Sequence, residues 1–111
     1  MKTLLLSAPK DKDATSALHK TFNRILERQI GPEYAIYANL AGQIVPGMKV
    51  IVFERIDRRQ AEDVVASFNP TGHKTGAGVT RYDVSIRDLH EVPYSHPPSV
   101  NRCGVGFTGQ S

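Results

Sequence analysis

The sequence predicts an α+β domain in which one helix near the N-terminus is followed by several β-strands. An apolar stripe with helical spacing runs through residues 14–29. Further along, residues 48–54 contain a continuous apolar run, and residues 78–86 alternate between the two faces that a half-buried strand presents. The stripe consists of Ala14, Leu18, Phe22, Ile25 and Leu26.

The N-terminal elements follow from the order of apolar and charged residues. Residues 2–6 are a short apolar run that predicts a buried first strand, and a charged loop comes directly after it. Asp13 is a suitable N-cap, so the helix is expected to run from Ala14 to Gln29. Gly31-Pro32 should end it, because Gly accepts the left-handed cap conformation and Pro cannot continue the helix.

Turn signals divide the remainder into strands. Residues 34–40 are rich in aromatic and branched side chains, which favours a strand. Residues 69–78 are polar and rich in glycine, so an exposed loop between two strands is expected there. Three prolines after Val92 make the following stretch extended, and Val105 with Phe107 could add a short last strand.

The segment of residues 57–68 fits two structures. As a helix it has Asp57 as N-cap, Gln60 three positions later and an apolar stripe that ends at Phe68. As a strand it has a branched core around Val64-Val65 that ends at the turn signal Asn69-Pro70. Local signals alone slightly favour the helix, although a domain of one strand, one helix and several further strands would need this segment in its sheet. The resemblance to a known family that is described below favours the strand, and we therefore predict a strand.

Composition sets the broad class of the protein. The 111 residues suit a single domain, and the net charge of +3 favours anionic partners only slightly. The single Cys103 cannot form an internal disulfide, and no apolar run is long enough for a membrane span. A soluble, cytoplasmic protein is therefore expected, and the sequence does not indicate its oligomeric state.

Patterns for catalysis are weak. Residues 72–78 read Gly-His-Lys-Thr-Gly-Ala-Gly, which is not the order of a phosphate-binding P-loop. His90, Glu91, His96 and Cys103 lack the close pairs of ligands typical of zinc sites. No carboxylate pair or positioned nucleophile stands out. We therefore predict no catalytic residue, no metal and no cofactor, and favour binding over enzymatic activity.

Basic residues next to aromatic ones give a stronger lead. Arg58 and Arg59, with Arg55 nearby, fall between two predicted strands. Lys74 and Arg81 flank the next connection, and Tyr82 follows directly. Arg and Lys at the ends of loops can follow a phosphate backbone, while a tyrosine ring can stack on a base.

The chain also resembles PUA-like domains of the EVE and ASCH branches over about residues 4–94. The resemblance lies in Pro46-Gly47-Met48-Lys49 followed by an apolar strand, in a later strand with Val64-Val65, and in a glycine-rich loop that leads to Arg81-Tyr82-Asp83-Val84. It implies a small, mostly antiparallel β-barrel with one main N-terminal helix. It also implies that the protein binds RNA or a modified nucleobase.

Three departures from this family limit what the resemblance implies. Glu62-Asp63 occupies a place where the group often has Gly, and the chain has no Trp, which related pockets use to hold a modified base. Some ASCH-like members hydrolyse acylated cytidines through Lys, Thr and Glu. Lys20 and Thr21 are adjacent here and would point to different faces of a helix, so that activity is not carried over.

The predicted function is non-catalytic binding of RNA, DNA or a modified nucleobase-containing ligand in a basic cleft between the helix N-terminus and the barrel. Ser7 would hydrogen-bond a base edge, and Tyr82 would stack on it. Phe53, Phe68 and Tyr37 are alternative stacking candidates, although most of these side chains should belong to the core. The phosphate contacts would come from Lys10, Arg58, Arg59, Lys74 and Arg81. Two alternatives stay open: a small hydrolase of modified nucleosides, and a protein-interaction module with an exposed apolar patch.

Overall fold

A computed structural model describes residues 2–8, 21–101 and 103–109 of the chain. Six strands and two short helices follow one another along it. They are β1 (Lys2–Ser7), α1 (Phe22–Arg28), β2 (Ile30–Ala35), α2 (Ala38–Ala41), β3 (Lys49–Glu54), β4 (Arg59–Lys74), β5 (Thr80–Val92) and β6 (Val105–Gly109).

All six strands belong to one sheet with the order β2-β5-β4-β3-β1-β6. The pairing of β1 with β3 is parallel, and the other four pairings are antiparallel. The predicted α+β class with a mostly antiparallel sheet is therefore confirmed. The predicted closed barrel is wrong, because β2 and β6 form the two edges of an open sheet and do not pair with each other within the described chain. The described chain also has two short helices where one main helix was expected.

The sheet curves around an apolar core, which brings its first strand close to β2. Leu4 and Leu6 of β1 are fully buried, as are Val50 and Val52 of β3. Each such side chain contributes about 1.5–3 kcal/mol when it leaves water. Tyr34 of β2 crosses the core and donates a hydrogen bond from its hydroxyl to the backbone oxygen of Ser7, at 2.8 Å. One side-chain hydrogen bond thus connects β2 to β1, although these strands do not pair in the open sheet.

Helix α1 begins later than the sequence predicts. Thr21 has an extended backbone (φ −67°, ψ 156°), and its hydroxyl accepts a hydrogen bond from Arg24 N at 3.4 Å, so it is the N-cap. One continuous helix over residues 14–29 is therefore wrong. The predicted start at Asp13 and Ala14 lies outside the described residues. The apolar stripe itself is confirmed from Phe22 onward, where Phe22 and Ile25 are buried.

Helix α1 ends at Arg28, before the predicted stop at Gly31-Pro32. Gln29 takes the left-handed conformation (φ 62°), and its backbone N–H donates to Ile25 O. Gly31 and Pro32 lie in β2 instead. The short length of β2 also corrects the strand predicted over residues 34–40, because Ala38–Ala41 forms a turn of helix.

Strands β4 and β5 form a long hairpin whose turn is short. The strand predicted over residues 57–68 is confirmed, although residues 55–58 form a turn and the strand begins at Arg59. The loop predicted over residues 69–78 is wrong in its extent, because β4 continues through Pro70 to Lys74 and the connection consists of residues 75–79. Beyond Val65, β4 pairs with β5 alone and its other side has no neighbouring strand. Pro70, which has no N–H to donate, is tolerated in such an edge position.

The remaining predicted elements are confirmed. Strand β1 covers the apolar run at residues 2–6, β3 covers residues 49–54 of the strand predicted at 48–54, and β6 includes Val105 and Phe107. The proline-containing stretch of residues 93–101 has no regular structure. None of the described helices is long and apolar enough to cross a membrane.

Candidate nucleic-acid interface

The structure divides the predicted site residues between the two ends of β4. Arg58 and Arg59 lie where this 16-residue strand begins, whereas Lys74 lies where it ends. Arg81 and Tyr82 lie near the start of β5, and Lys74 is paired with Thr80. Lys10 lies outside the described residues. Arg58 and Arg59 therefore do not share one surface site with Lys74, Arg81 and Tyr82.

At the first end, residues 55–59 form an arginine turn in which Arg55 holds a neighbouring segment. The Arg55 guanidinium lies over the ring of Phe53, 4.6 Å from its centroid. Its Nη2 donates to the backbone oxygens of Pro97 and Pro98, at 3.0 Å and 2.9 Å. Arg55 thus holds the proline-containing stretch against the sheet. This structural role accounts for the contacts of its guanidinium.

Arg59 of the arginine turn is also occupied by protein groups. Its guanidinium makes two hydrogen bonds of 3.0 Å to the carboxylate of Glu91 and donates to Asn23 Oδ1 at 2.6 Å. It also lies over the ring of Phe22, 4.7 Å from the centroid. The hydrogen bond from Arg59 lowers the pKa of Glu91. Arg59 therefore clamps β4, β5 and α1 together.

Arg58 is exposed in a turn that a buried carboxylate organises. Glu54 is only 2% exposed, and it accepts hydrogen bonds from the backbone N–H groups of Ile56 and Asp57. Arg58 itself has a left-handed backbone (φ 57°). The arginine turn therefore presents Arg58 to solvent, while Arg55 and Arg59 serve the fold.

Ser7 lies near the arginine turn, at the end of β1 where it pairs with Phe53. Its backbone N–H donates to Gly104 O at 2.8 Å, and its backbone oxygen accepts the hydroxyl of Tyr34. Burial raises the pKa of the Tyr34 hydroxyl, which keeps this donor protonated. The main-chain groups of Ser7 are thus engaged in the fold.

At the other end of β4, Lys74, Arg81 and Tyr82 come together around a five-residue turn. Thr75 N donates to Val79 O at 2.9 Å, and Gly78 N donates to Thr75 O at 2.9 Å. Pro70 and Tyr82 are paired across the two strands, as are Lys74 and Thr80. We call Lys74, the turn at residues 75–79 and residues 80–82 the hairpin end.

A bulge in β2 braces the hairpin end from outside. Glu33 has a left-handed backbone (φ 55°), its N–H donates to Asp83 Oδ1, and its carbonyl oxygen accepts Arg81 Nη1, both at 3.0 Å. Its carboxylate contacts His73 Nδ1 at 2.8 Å. A hydrogen bond from Thr71, followed by the hydrogen bond and charge of His73, lowers the pKa of Glu33. The bulge thus connects β2 to both strands of the hairpin.

Between the hairpin end and α2 lies a tyrosine cleft of about 190 Å³. Tyr37 and Tyr82 both contribute to its walls, and Tyr37 is 41% exposed. The ring of Tyr82 packs on Phe68 at a centroid distance of 5.3 Å, so part of it serves the core. The lining consists of Ile36, Tyr37, Ala38, Gly78, Val79, Thr80 and Tyr82.

The lining of the tyrosine cleft consists of apolar side chains, aromatic rings and hydroxyl groups. None of its described lining residues is Lys, His, Cys, Asp or Glu. The hydroxyl groups of Tyr37, Thr80 and Tyr82 have no hydrogen-bond partner among the described residues. Nor does the described part of the chain bring three His, Cys, Asp or Glu side chains together in a way that could hold a metal ion.

Sequence reasoning identified part of this end of the molecule. Lys74, Arg81 and Tyr82 were expected from basic residues next to an aromatic one, and Tyr37, Phe53 and Phe68 were alternative stacking candidates. Phe53 is fully buried and Phe68 packs against the core, which leaves Tyr37 as the exposed ring. No local signal places Tyr37 beside Tyr82, because they are 45 positions apart and meet only through the pairing of β2 with β5.

Comparison of the chain with protein-family models, with curated proteins and with solved structures finds no match.

Proposed function

We propose that this protein binds nucleic acid, RNA or DNA, without catalysis, and that the hairpin end is its contact surface. The observation that carries the proposal is that the exposed Lys74 lies at the hairpin end beside the tyrosine cleft, whose wall includes Tyr82, while Arg81 precedes Tyr82 in β5. The resemblance to PUA-like domains supports the same class of ligand. Of the predicted site residues, Lys74, Arg81 and Tyr82 carry this proposal.

Lys74 is the strongest phosphate contact in this arrangement. It is exposed, and it forms no ion pair with any described residue. By contrast, Arg59 is held by Glu91. A lysine without an acidic partner can replace a counterion at a phosphate without first breaking an ion pair, so its contact should appear as salt-dependent affinity.

The tyrosine cleft favours binding over hydrolysis. A hydrolase of modified nucleosides needs a nucleophile or a general base beside the reacting atom. The described lining has no Lys, His, Cys, Asp or Glu that could fill either role or activate a hydroxyl, and it offers two tyrosine rings and three hydroxyl groups. Rings and hydroxyls recognise a ligand by stacking and hydrogen bonding, which requires no reaction.

The test measures the affinity of the full chain for labelled RNA and DNA over a series of salt concentrations. We expect the affinity to fall as salt rises. The variant Lys74→Gln should reduce the slope of log K against log salt by about 0.7, the contribution of one phosphate contact on a single strand. Arg58→Gln is the matched control, since it removes one exposed cation from the opposite end of β4. The absence of salt-sensitive binding to any polynucleotide would contradict the proposal, as would an unchanged slope in Lys74→Gln.

A further inference from the structure

We infer that the tyrosine cleft holds one unpaired base of a single strand, stacked against Tyr37 and Tyr82. This inference rests on the proposed function and names its substrate class: single-stranded nucleic acid, with double helices excluded from the cleft. Neither the arginine turn nor the end of β1 belongs to this proposed binding site.

The size of the cleft is the first reason. Its volume of about 190 Å³ lies below the roughly 300–1,000 Å³ of sites that enclose drug-sized ligands. A space of this size accepts a single flat ring system. A base pair is about twice as wide, and a base inside a double helix keeps both faces stacked on its neighbours. Away from the ends of a double helix, a base must leave its partner strand and the stack before it can bring a face to a tyrosine ring.

The exposure of the two rings is the second reason. Tyr37 is 41% exposed and is the N-cap of α2 through its backbone oxygen alone, so its side chain is not needed for the cap. Tyr82 is only partly exposed, since Phe68 occupies part of its ring. The two rings thus differ in role: Tyr82 is a fixed wall, and Tyr37 is the platform that solvent can reach.

Polar groups at the cleft supply the means to hold a base edge. The hydroxyl groups of Tyr37, Thr80 and Tyr82 can each donate one hydrogen bond and accept others. The exposed edge of an unpaired base offers both donors and acceptors, which a double helix uses internally. Lys74 is paired with Thr80, so both side chains leave the same face of the hairpin, with Cβ atoms about 5 Å apart. A phosphate next to the bound base therefore lies within reach of the lysine.

The experiment compares Tyr37→Ala and Tyr94→Ala for binding to oligo(U) and oligo(A) RNA of about 12 nucleotides and to a blunt duplex of equal length. Tyr94 is the matched control, because it is a partly exposed tyrosine whose hydroxyl meets Arg55, away from the cleft. We expect the single strands to bind more tightly than the duplex. Tyr37→Ala should raise the Kd for them by about 5- to 150-fold, whereas Tyr94→Ala leaves it nearly unchanged.

A second readout is the tyrosine fluorescence of the protein, which can be observed directly because the chain contains four Tyr and no Trp. Stacking of a base should quench it on titration with oligo(A), and part of that quenching should be absent in Tyr37→Ala. Tyr37→Phe keeps the ring and should retain more affinity than Tyr37→Ala. Circular dichroism and thermal unfolding of each variant establish that it is folded.

The possible failures are distinct. If no polynucleotide binds, both the proposed function and this inference are wrong. If nucleic acid binds in a salt-dependent way but the duplex binds as tightly as the single strands, the inference alone is wrong. The same holds if Tyr37→Ala binds like the unmodified protein, or if Tyr94→Ala loses as much affinity as Tyr37→Ala.

Discussion

Gln29 and Leu89 are joined by two hydrogen bonds between the amide side chain of one and the backbone of the other. Gln29 Nε2 donates to Leu89 O at 3.0 Å, and Leu89 N donates to Gln29 Oε1 at 2.6 Å. Glu62 pairs with His90 and Val64 pairs with Arg87, so the register of β4 and β5 shifts between these two pairs. Leu89 lies at this shift and has no partner in β4. The side chain that ends helix α1 thus satisfies the irregular point of the longest strand pair.

Replacement of Gln29 should therefore destabilise the fold. Gln29→Ala removes both bonds to Leu89 and a third to Leu26 O, and it puts alanine at a left-handed φ of 62°. Backbone groups that are partly buried lose their partners, so the free energy of unfolding should fall by about 2 kcal/mol. Urea denaturation measures this, with Gln43→Ala, an exposed glutamine near α2, as control. A loss no larger in Gln29→Ala than in Gln43→Ala would contradict the assigned role.

Gly31 should not tolerate a methyl group. An ideal Cβ at this buried position would lie 3.0 Å from Tyr34 Cε2 and 3.3 Å from Leu6 Cδ1. The overpacking in Gly31→Ala should cost about 1–3 kcal/mol of stability. Gly76→Ala in the hairpin turn is the matched control, because its Cβ would meet nothing within 4 Å and its φ is not left-handed. Thermal unfolding should show a lower Tm for Gly31→Ala alone, and equal Tm values for the two variants would refute the clash.

Tyr34→Phe should weaken the contact between β2 and β1. The variant removes the hydroxyl that donates to Ser7 O and leaves a carbonyl without this donor, at a cost of about 1–2 kcal/mol. Burial also raises the pKa of Tyr34 above its ordinary value of 10.0 in the folded state. The unfolded chain therefore loses this proton first, so stability falls as pH rises above 10.0. Urea midpoints should show a smaller alkaline loss in Tyr34→Phe, and an equal loss would disprove the link.

Acid should loosen the contacts that Glu33 and Glu91 make. In the folded protein the pKa of each lies below its ordinary value of 4.5, owing to hydrogen bonds from Thr71 and His73 in one case and from Arg59 in the other. Their stabilising contribution is present above 4.5 and is lost as the pH falls through the folded pKa.

The double variant Glu33→Gln/Glu91→Gln tests this acid dependence through urea midpoints measured from neutral to acid pH. It should be less stable than the unmodified protein at neutral pH and should lose less stability on acidification. Glu27→Gln, on the surface of α1, is the control. An acid loss in the double variant as steep as in the unmodified protein would assign the acid sensitivity to other groups.

Local patterns predicted the elements whose buried side chains form a continuous apolar run or a regular apolar stripe. Strand β3 follows directly from its apolar run, and α1 keeps its predicted stripe from Phe22 onward. The two ends of α1 were not predictable in this way. The apolar spacing continues through Thr21, so it does not reveal that the backbone there is extended. Gly31-Pro32 was predicted to end the helix, whereas it ends at Gln29, whose side-chain partner Leu89 is 60 residues away.

The extent of the hairpin and the site on it depended on tertiary pairing. Asn69-Pro70 is read as a turn signal because proline cannot donate a hydrogen bond inside a sheet. At this point, however, β4 has a neighbouring strand on one side only, and there proline is tolerated. The basic residues were recognised from sequence as a group. Their separation into Arg55 and Arg59, which hold the fold, and Lys74 and Arg81 at the hairpin end came from contacts with distant residues such as Glu91 and Pro97.

The position of β1 inside the sheet has a consequence for synthesis of the chain. Its run Leu4–Leu6 is synthesised before both of its neighbours, β3 and β6, and Lys2 pairs with Gly109. Contacts this distant in sequence form slowly, because a long loop must close before they are made. The nascent chain therefore exposes an aggregation-prone leucine segment until residues 105–109 have been synthesised. A chaperone that binds this segment should raise the yield of folded protein.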